Sequence, residues 1–301
     1  MPQDSSCSAM SQEIGEPLRG TAVSGTSLWV VLELSGAWGP KGLEDSGLPE
    51  SVVSHLSRFV SQDKRARVQL IRRPDRANVG FTLYLANSTP GGGALLRRSF
   101  PRIEELLLVD LTSWASGASP TGFDPVNEPL YLVCTHGKRD RCCAQRGLPV
   151  FAAIAREVGP EAWQTTHLGG HRFAATLLVL PSGICYGRVE ADEAQALCAA
   201  HARNELYNIA RLRGRTSYGG PAQAAEALLR EQLDDLQLDS LELLGSEHAM
   251  GGERVRFRHV PSDVTHEVWV TREALPAFPQ SCGASPKPVE RYVPLRLSGR
   301  P

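Results

Sequence analysis

Apolar positions along this chain fall into short runs, and their period changes from one segment to the next. Leu28-Trp29-Val30-Val31-Leu32-Glu33-Leu34 is nearly continuous, and its length and valine content predict a buried strand. After the turn residues Gly36, Gly39 and Pro40, the segment Ser46-Gly47-Leu48-Pro49-Glu50 opens a stretch in which Val52, Val53, Leu56 and Val60 recur at helical spacing. RVQLIRR and FTLYLAN predict two more strands, Gly91-Gly92-Gly93 a turn, and ELLLVDL a further strand. SWASGASPTGFDPVNE, residues 113–128, is loop-like and marks a boundary.

Beyond it the pattern resumes. PLYLVCTH predicts a strand, residues 148–158 a helix with Ile154 and Val158 one turn apart, RFAATLLVL and ICYGRV two strands around Pro181-Ser182-Gly183, and residues 191–204 a helix. The order expected is β-α-β-β-β-α, that of a thioredoxin-like core, one strand more than these runs mark. Past Leu212-Arg213-Gly214-Arg215 comes a strong helix over 221–233, with Pro221 suited to its first turn. Three strand-like runs follow, SLELLGSEH, RVRFRHV and THEVWVT, and the Pro/Gly-rich tail from Phe278 is expected to wrap a surface. The fold class expected is therefore α/β in three parts: an N-terminal α/β domain over 1–125, a thioredoxin-like domain over 126–218, and a helix plus β-rich extension over 219–301. The first part carries no recognisable chemical motif. It reads as a scaffold or partner surface, or as a degenerate copy of the same thioredoxin-like unit, although no internal sequence repeat is visible.

With 301 residues the chain can bury a sizeable core, and 42% hydrophobic against 22% charged residues is ordinary for a globular protein. Lys plus Arg (32) nearly balances Asp plus Glu (33), so charge gives no reason to expect a nucleic acid or an anionic membrane as partner. The opening MPQDSSCSAMSQEIGEP has an early acid and no apolar core segment, unlike a secretory signal, and runs such as LLLVDL and ATLLVL are strand-sized rather than membrane-spanning. The expected compartment is cytoplasmic. Seven cysteines (Cys7, Cys134, Cys142, Cys143, Cys185, Cys198 and Cys282) are an odd number spread thinly, which in a reducing compartment favours metal or redox chemistry over structural bridges.

The chemistry concentrates in CTHGKRDRCC, which holds Cys134 and Cys143, and in THLGGHRF, which holds His167 and His171. A His-x-x-x-His pair usually marks one helix face, but Leu168-Gly169-Gly170 between these two argues for a loop. Two thiols and two imidazoles form a set of four soft and borderline ligands. They suit an iron–sulfur cluster, in which replacing two thiolates by neutral imidazoles makes electron uptake easier and allows coupling to imidazole protonation. They also suit tetrahedral zinc, although the cysteine spacing exceeds that of zinc fingers. A third reading has no metal, with Cys134 ending one buried strand and His171 starting another.

CTHGKRDRCCAQRG, THLGGHRFAATLLVLPSGICYGRV and LRGRTSY together resemble the sucrase/ferredoxin-like family, as do CSAMSQEIGEPLRGTA and LELSGAWGPKGL nearer the N-terminus. The resemblance implies a thioredoxin-like ferredoxin domain in the C-terminal half and a [2Fe–2S] cluster held by Cys134, Cys143, His167 and His171, with both thiolates on one iron and both imidazoles on the other as in Rieske centres. The family's spacing favours Cys143 over its neighbour. Cys142 is the alternative ligand, and otherwise a bystander, a spare ligand or an oxidation-prone thiol.

Other residues invite lesser roles. His136 reads first as a turn-stabilising residue, then as a proton relay or a donor to a cluster sulfur. Lys138, Arg139 and Arg141 form a positive loop that could stabilise a reduced cluster, dock an acidic redox partner, or simply be solvated. Arg213 and Arg215 carry the same readings with the structural one favoured. Cys185 and Cys198 read as small core residues, and no role can be argued for Cys7 and Cys282, a disulfide between these terminal residues being disfavoured in a reducing compartment. The adjacent carboxylates Glu104 and Glu105, and Asp234 and Asp235, do not identify the acid and nucleophile of a glycosidase. No phosphate loop, nucleophile elbow or dinucleotide fingerprint is present. The expected function is one-electron transfer to or from a redox partner protein, as a carrier more than an enzyme with its own substrate. The alternatives are a structural zinc-binding interaction protein and a thiol-disulfide oxidoreductase using Cys142 or Cys143, the latter disfavoured by the lack of a Cys-x-x-Cys pair.

Overall fold

All six residues of Leu28–Glu33 are buried, as a strand covered on both faces requires, and this strand (β1) organises the first half of a computed structural model that describes residues 6–74, 80–249 and 251–295. A short helix, α1 (Cys7–Glu13), precedes it. The predicted amphipathic helix is α2 (Glu50–Gln62), which buries Val52, Leu56 and Phe59 at helical spacing. It crosses over to β2 (Ala66–Arg72), parallel to β1 with Val30 beside Val68. β3 (Phe81–Asn87) runs antiparallel to β1, and β4 (Ala94–Phe100) antiparallel to β3.

ELLLVDL does not form the expected strand. Residues Ile103–Leu108 wind into a 3₁₀ turn and α3 (Leu111–Ala115) follows. The apolar residues here bury at a three-residue period, Ile103 and Leu106 inward, while Leu107 and Leu108 are 37% and 81% exposed. The strand pairing with β3 is instead β4, whose alternation in the sequence is interrupted by Arg97 and Arg98. A two-residue strand, β5 (Asp124–Pro125), lies along β4.

The second half repeats the first. β6 (Leu130–Cys134) leads through α4 (Arg141–Val158) to β7 (Ala162–Thr165), parallel to β6, and β8 (Leu177–Leu180) and β9 (Ile184–Tyr186) add antiparallel on the other side. The spatial order β7-β6-β8-β9 matches β2-β1-β3-β4, so both halves are thioredoxin-like α/β units. They meet at β2 and β7, which pair antiparallel at Ile71–Thr165 and Arg72–Gln164, so that one mixed sheet of ten strands runs through both. The observed β6-α4-β7-β8-β9 succession, completed by α5 (Ala194–Ala202), has the expected β-α-β-β-β-α order, with β7 supplying the strand that no run in the sequence marks.

Local boundaries differ from expectation for physical reasons. α4 starts at Arg141 rather than 148, in spite of Gly147 and Pro149, because the Asp140 side chain caps its first turn, accepting from the Cys142 amide at 2.9 Å. RFAATLLVL contributes a strand only from Leu177, since His171–Phe173 forms a 3₁₀ turn.

The C-terminal part adds β10 (Leu212–Arg215) to the sheet edge beside β9, then α6 (Gly220–Leu233). A separate antiparallel sheet follows, β11 (Leu241–Ala249), β12 (Gly252–His259), β13 (Val264–Phe278) and β14 (Lys287–Pro294). Ala222, Ala225 and Leu229 of α6 pack on Leu241, Val255, Phe257 and Val270 of that sheet. The tail after Phe278 does lie on a surface, first against the start of α4 through Cys282 and then as β14; its end, from residue 296, lies outside the described residues, as do residues 1–5 at the other end. Arg213 and Arg215 are fully buried and act as internal struts. Cys185 and Cys198 are core residues as expected.

Candidate metal centre

The paired strands β6 and β7 end side by side, with Cys134 in register with Thr165, so Cys134 and the loop that begins at Thr166 emerge at the same edge. The chain leaving Cys134 makes a tight return and enters α4, whose first turn brings Cys143 back over it. Gly147 permits this approach: a Cβ there would lie 2.1 Å from the Cys134 carbonyl oxygen. The sulfurs of Cys134 and Cys143 and a ring nitrogen of His167 all lie within 4.8 Å of one another. His167 Nδ1 is 3.7 Å from Cys143 Sγ and 4.0 Å from Cys134 Sγ.

His171 stands beside His167, the ring centroids 5.0 Å apart. Its Nδ1 is buried without a hydrogen-bond partner, and its Nε2 is 3.7 Å from Asp140 Oδ2. The half-buried ring thus has one nitrogen near a carboxylate and the other buried and bare, which leaves Nδ1 free to serve as a ligand. Three donors, the two thiols and His167 Nδ1, converge as a metal group requires, while His171 stands next to His167 and outside that group, with Nδ1 unsatisfied.

The glycine loop between the histidines is built as such. Gly169 and Gly170 both have positive φ, 87° and 66°. Arg213 Nη1 donates to the Gly169 carbonyl at 2.9 Å, its Nε donates to Thr21 Oγ1 at 3.1 Å, and its guanidinium leaves no room for a Cβ at Gly170. Arg213 thus positions the histidine loop from within. His136 does the same from the other side. Its Nδ1 accepts from the His167 amide at 3.3 Å and its Nε2 donates to the Gly39 carbonyl at 2.8 Å, which ties the first unit to the site.

Electrostatics distinguish the two thiols. Cys143 donates to Cys134, and with His167 nearby Cys134 is held well below the ordinary thiol range against its burial. Cys143 is correspondingly pushed up by that hydrogen bond and by burial. Burial lowers both His136 and His171 below an ordinary imidazole, which keeps them neutral as metal or hydrogen-bond partners.

Cys142 is not in this group. Its sulfur points to the opposite side of the α4 N-terminus, 3.6 Å from Cys7 Sγ and 3.4 Å from Cys282 Sγ. The Cys7 thiol brings Cys142 down to about 5. Cys7 and Cys282, to which no role could be given from sequence, therefore meet in a second cluster with Asp140. Only a shared three-dimensional address joins them, so no spacing in the chain could have shown it.

A cleft of about 670 Å³ opens beside His167, between the two units, and Lys41, Lys64, Arg67 and Arg139 are among the residues that line it.

The family model described as sucrase/ferredoxin-like matches residues 20–214, which takes in both units and every residue of the Cys134 group. The chain belongs to the sucrase/ferredoxin-like family. No curated protein and no solved structure matches it. For a sucrase/ferredoxin-like protein a ferredoxin-like redox role is suggested, and here two groups, Cys134–Cys143–His167 and Cys7–Asp140–Cys142–Cys282, could hold a metal ion. No helix among the described residues of this sucrase/ferredoxin-like chain is long and apolar enough to cross a membrane.

Proposed function

We propose that Cys134, Cys143, His167 and His171 hold a [2Fe–2S] cluster and that the protein is a one-electron carrier. The observation that carries this reading is the unpartnered, buried Nδ1 of His171 beside a group of two sulfurs and His167 Nδ1. When bound, the cluster would accept and release one electron, and ligation by two thiolates and two neutral imidazoles leaves its oxidised form uncharged, which raises its potential above that of an all-cysteine centre.

The chain's own residues set the conditions for that chemistry. Cys134 and Cys143 are wholly buried, so the sulfur side is kept from water. The histidines lie on the side nearer solvent, where electrons can enter and leave. Asp140 Oδ2 stands 3.7 Å from His171 Nε2, longer than a hydrogen bond, and its negative charge favours a proton on that ring against burial. Loss of that proton on oxidation would make the potential pH-dependent. The basic lining of the cleft at His167 favours an acidic redox partner, steered by Lys41, Lys64, Arg67 and Arg139.

A second reading is a single zinc ion, favoured by the fact that three of the ligand atoms lie within 4.8 Å of one another. Anaerobic purification with iron and acid-labile sulfide analysis, followed by paramagnetic resonance of the dithionite-reduced protein, separates the two. Two irons and two sulfides per chain with a rhombic signal are expected; a colourless protein with zinc at Cys134 would overturn the reading. His167→Cys and His171→Cys should each retain a cluster at lower potential and with weaker pH dependence.

A further inference from the structure

On the far side of the α4 N-terminus, three sulfurs from remote parts of the chain converge. Cys7 lies in α1, Cys142 in the first turn of α4, and Cys282 in the tail between β13 and β14. The three Sγ–Sγ distances are 3.6 Å (Cys7–Cys142), 3.4 Å (Cys142–Cys282) and 3.7 Å (Cys282–Cys7). A disulfide sulfur pair sits at about 2.0 Å, so none of these is a bridge. Zinc–thiolate bonds of about 2.3 Å in tetrahedral geometry place sulfurs about 3.8 Å apart, and all three edges fall just inside that value.

Asp140 completes the group. Its carboxylate oxygens lie 3.8 and 3.9 Å from Cys7 Sγ. The carboxylate is held in place by the amides of Cys142 and Cys282, each at 2.9 Å, and by Ser281 Oγ at 3.0 Å. Ionised as metal ligands, three sulfurs and one carboxylate would gather four negative charges where Cys7, Cys142 and Asp140 are buried, a charge that only a cation among them offsets. Soft sulfur donors in tetrahedral arrangement select zinc among the divalent ions.

We propose that Cys7, Cys142 and Cys282, with Asp140 in the fourth position, form a Zn²⁺ site distinct from the Cys134 group. The ion staples α1 and the C-terminal tail to the start of α4. Because Asp140 Oδ2 also lies 3.7 Å from His171 Nε2, the staple fixes the carboxylate that stands beside that histidine.

The test uses the full-length protein purified anaerobically with its iron. Zinc and iron are quantified by plasma mass spectrometry after dialysis against a weak chelator. About one zinc per chain is expected, as a closed structural site would hold. It should fall at least about tenfold in Cys7→Ser and in Cys282→Ser while iron stays unchanged, and should persist in Cys134→Ser, which loses iron. Cobalt added to zinc-free Cys134→Ser protein gives a second readout that does not depend on the purified metal content. A thiolate-to-cobalt charge-transfer band should form there and be absent when Cys282→Ser is added, with the far-ultraviolet circular dichroism of the two proteins the same. Absence of zinc from protein made in zinc-supplemented medium would overturn the proposal. So would zinc that follows Cys134 rather than Cys7 and Cys282, or a Cys142–Cys282 disulfide in peptide maps of the anaerobic protein. Iron and zinc are read separately, so failure here is distinct from failure of the electron-carrier reading.

Discussion

Cys142 and Cys143, neighbours in the chain, send their sulfurs to opposite sides of one helix end: Cys143 Sγ lies 3.7 Å from His167 Nδ1, Cys142 Sγ 3.4 Å from Cys282 Sγ. Successive helical residues are rotated by about 100°, enough to direct two adjacent thiols into separate pockets. Iron content should therefore respond to one and not to the other. Cys143→Ser is expected to lose most of its iron and its visible absorbance, whereas Cys142→Ser retains both. Iron analysis of the two variants side by side decides it, and the reverse result would reassign the ligand.

Gly147 is where α4 touches the end of β6. Alanine would gain about 1 kcal/mol of helix propensity, but its Cβ would stand 2.1 Å from the Cys134 carbonyl oxygen, and overpacking of that kind costs about 1–3 kcal/mol or more. Because the clashing atom is backbone, the strain must move Cys134 itself. Gly147→Ala is expected to lower the urea midpoint, with a net loss of roughly 1 kcal/mol or more, and to reduce the iron bound per chain. A variant as stable as the parent with full iron would show that the helix can shift without disturbing Cys134.

Much of the frame can be read from the chain because it is written in local periodicity. The buried run at β1, the helical spacing in α2 and the alternation in β12 and β13 each specify an element from neighbouring residues alone. ELLLVDL misleads because four apolar residues in a row fit a strand as well as a 3₁₀ turn, and only packing shows that two of them face solvent. β7 escapes notice because AWQT has no alternation, and β10 because Gly214 and two arginines disguise it. The burial of Arg213 depends on partners at Thr21 and Gly169 far off in sequence. The Cys134 and His167 groups are legible as clustered motifs. The Cys7–Cys142–Cys282 cluster is not, since its members are separated by 135 and 140 residues.

Glu226 on α6 is the carboxylate that faces two buried guanidinium groups. It accepts from Arg230 Nε at 3.2 Å and Nη2 at 3.1 Å, and Arg215 Nη2 is 3.5 Å away, with all three side chains at most 2% exposed. Removing one partner of such a group leaves uncompensated charge in a medium that solvates it poorly, a cost of about 3–5 kcal/mol. Glu226→Gln is therefore expected to destabilise the protein by that order in urea unfolding. The loss should be larger than that of Glu273→Gln, whose ion pair with Arg291 is exposed and contributes about 0–1 kcal/mol. Equal losses in the two variants would show that the buried charges find other partners.

His201 on α5 gives the fold a dependence on pH that does not pass through either sulfur cluster. Its ring is buried among Tyr131 and Tyr186, and Nε2 accepts from the Tyr186 hydroxyl at 2.9 Å, that hydroxyl itself accepting from the Tyr207 amide. Burial, with a smaller contribution from the Arg215 charge, lowers its pKa from 6.5 to about 4. The unfolded chain thus takes up this proton at a higher pH than the folded one. The stabilisation is complete above about pH 6.5, declines as pH falls towards about 4, and changes no further below that, amounting in full to roughly 3 kcal/mol. Between pH 7 and pH 5 the native protein should lose about 2 kcal/mol to this group, whereas His201→Gln, less stable at pH 7, should lack that part of the decline. Urea unfolding of both proteins at the two pH values measures it. His136 and His171 act in the same direction in both proteins, so the difference between the two declines isolates His201. Parallel declines would mean that the imidazole is already solvated, or already charged, in the folded state.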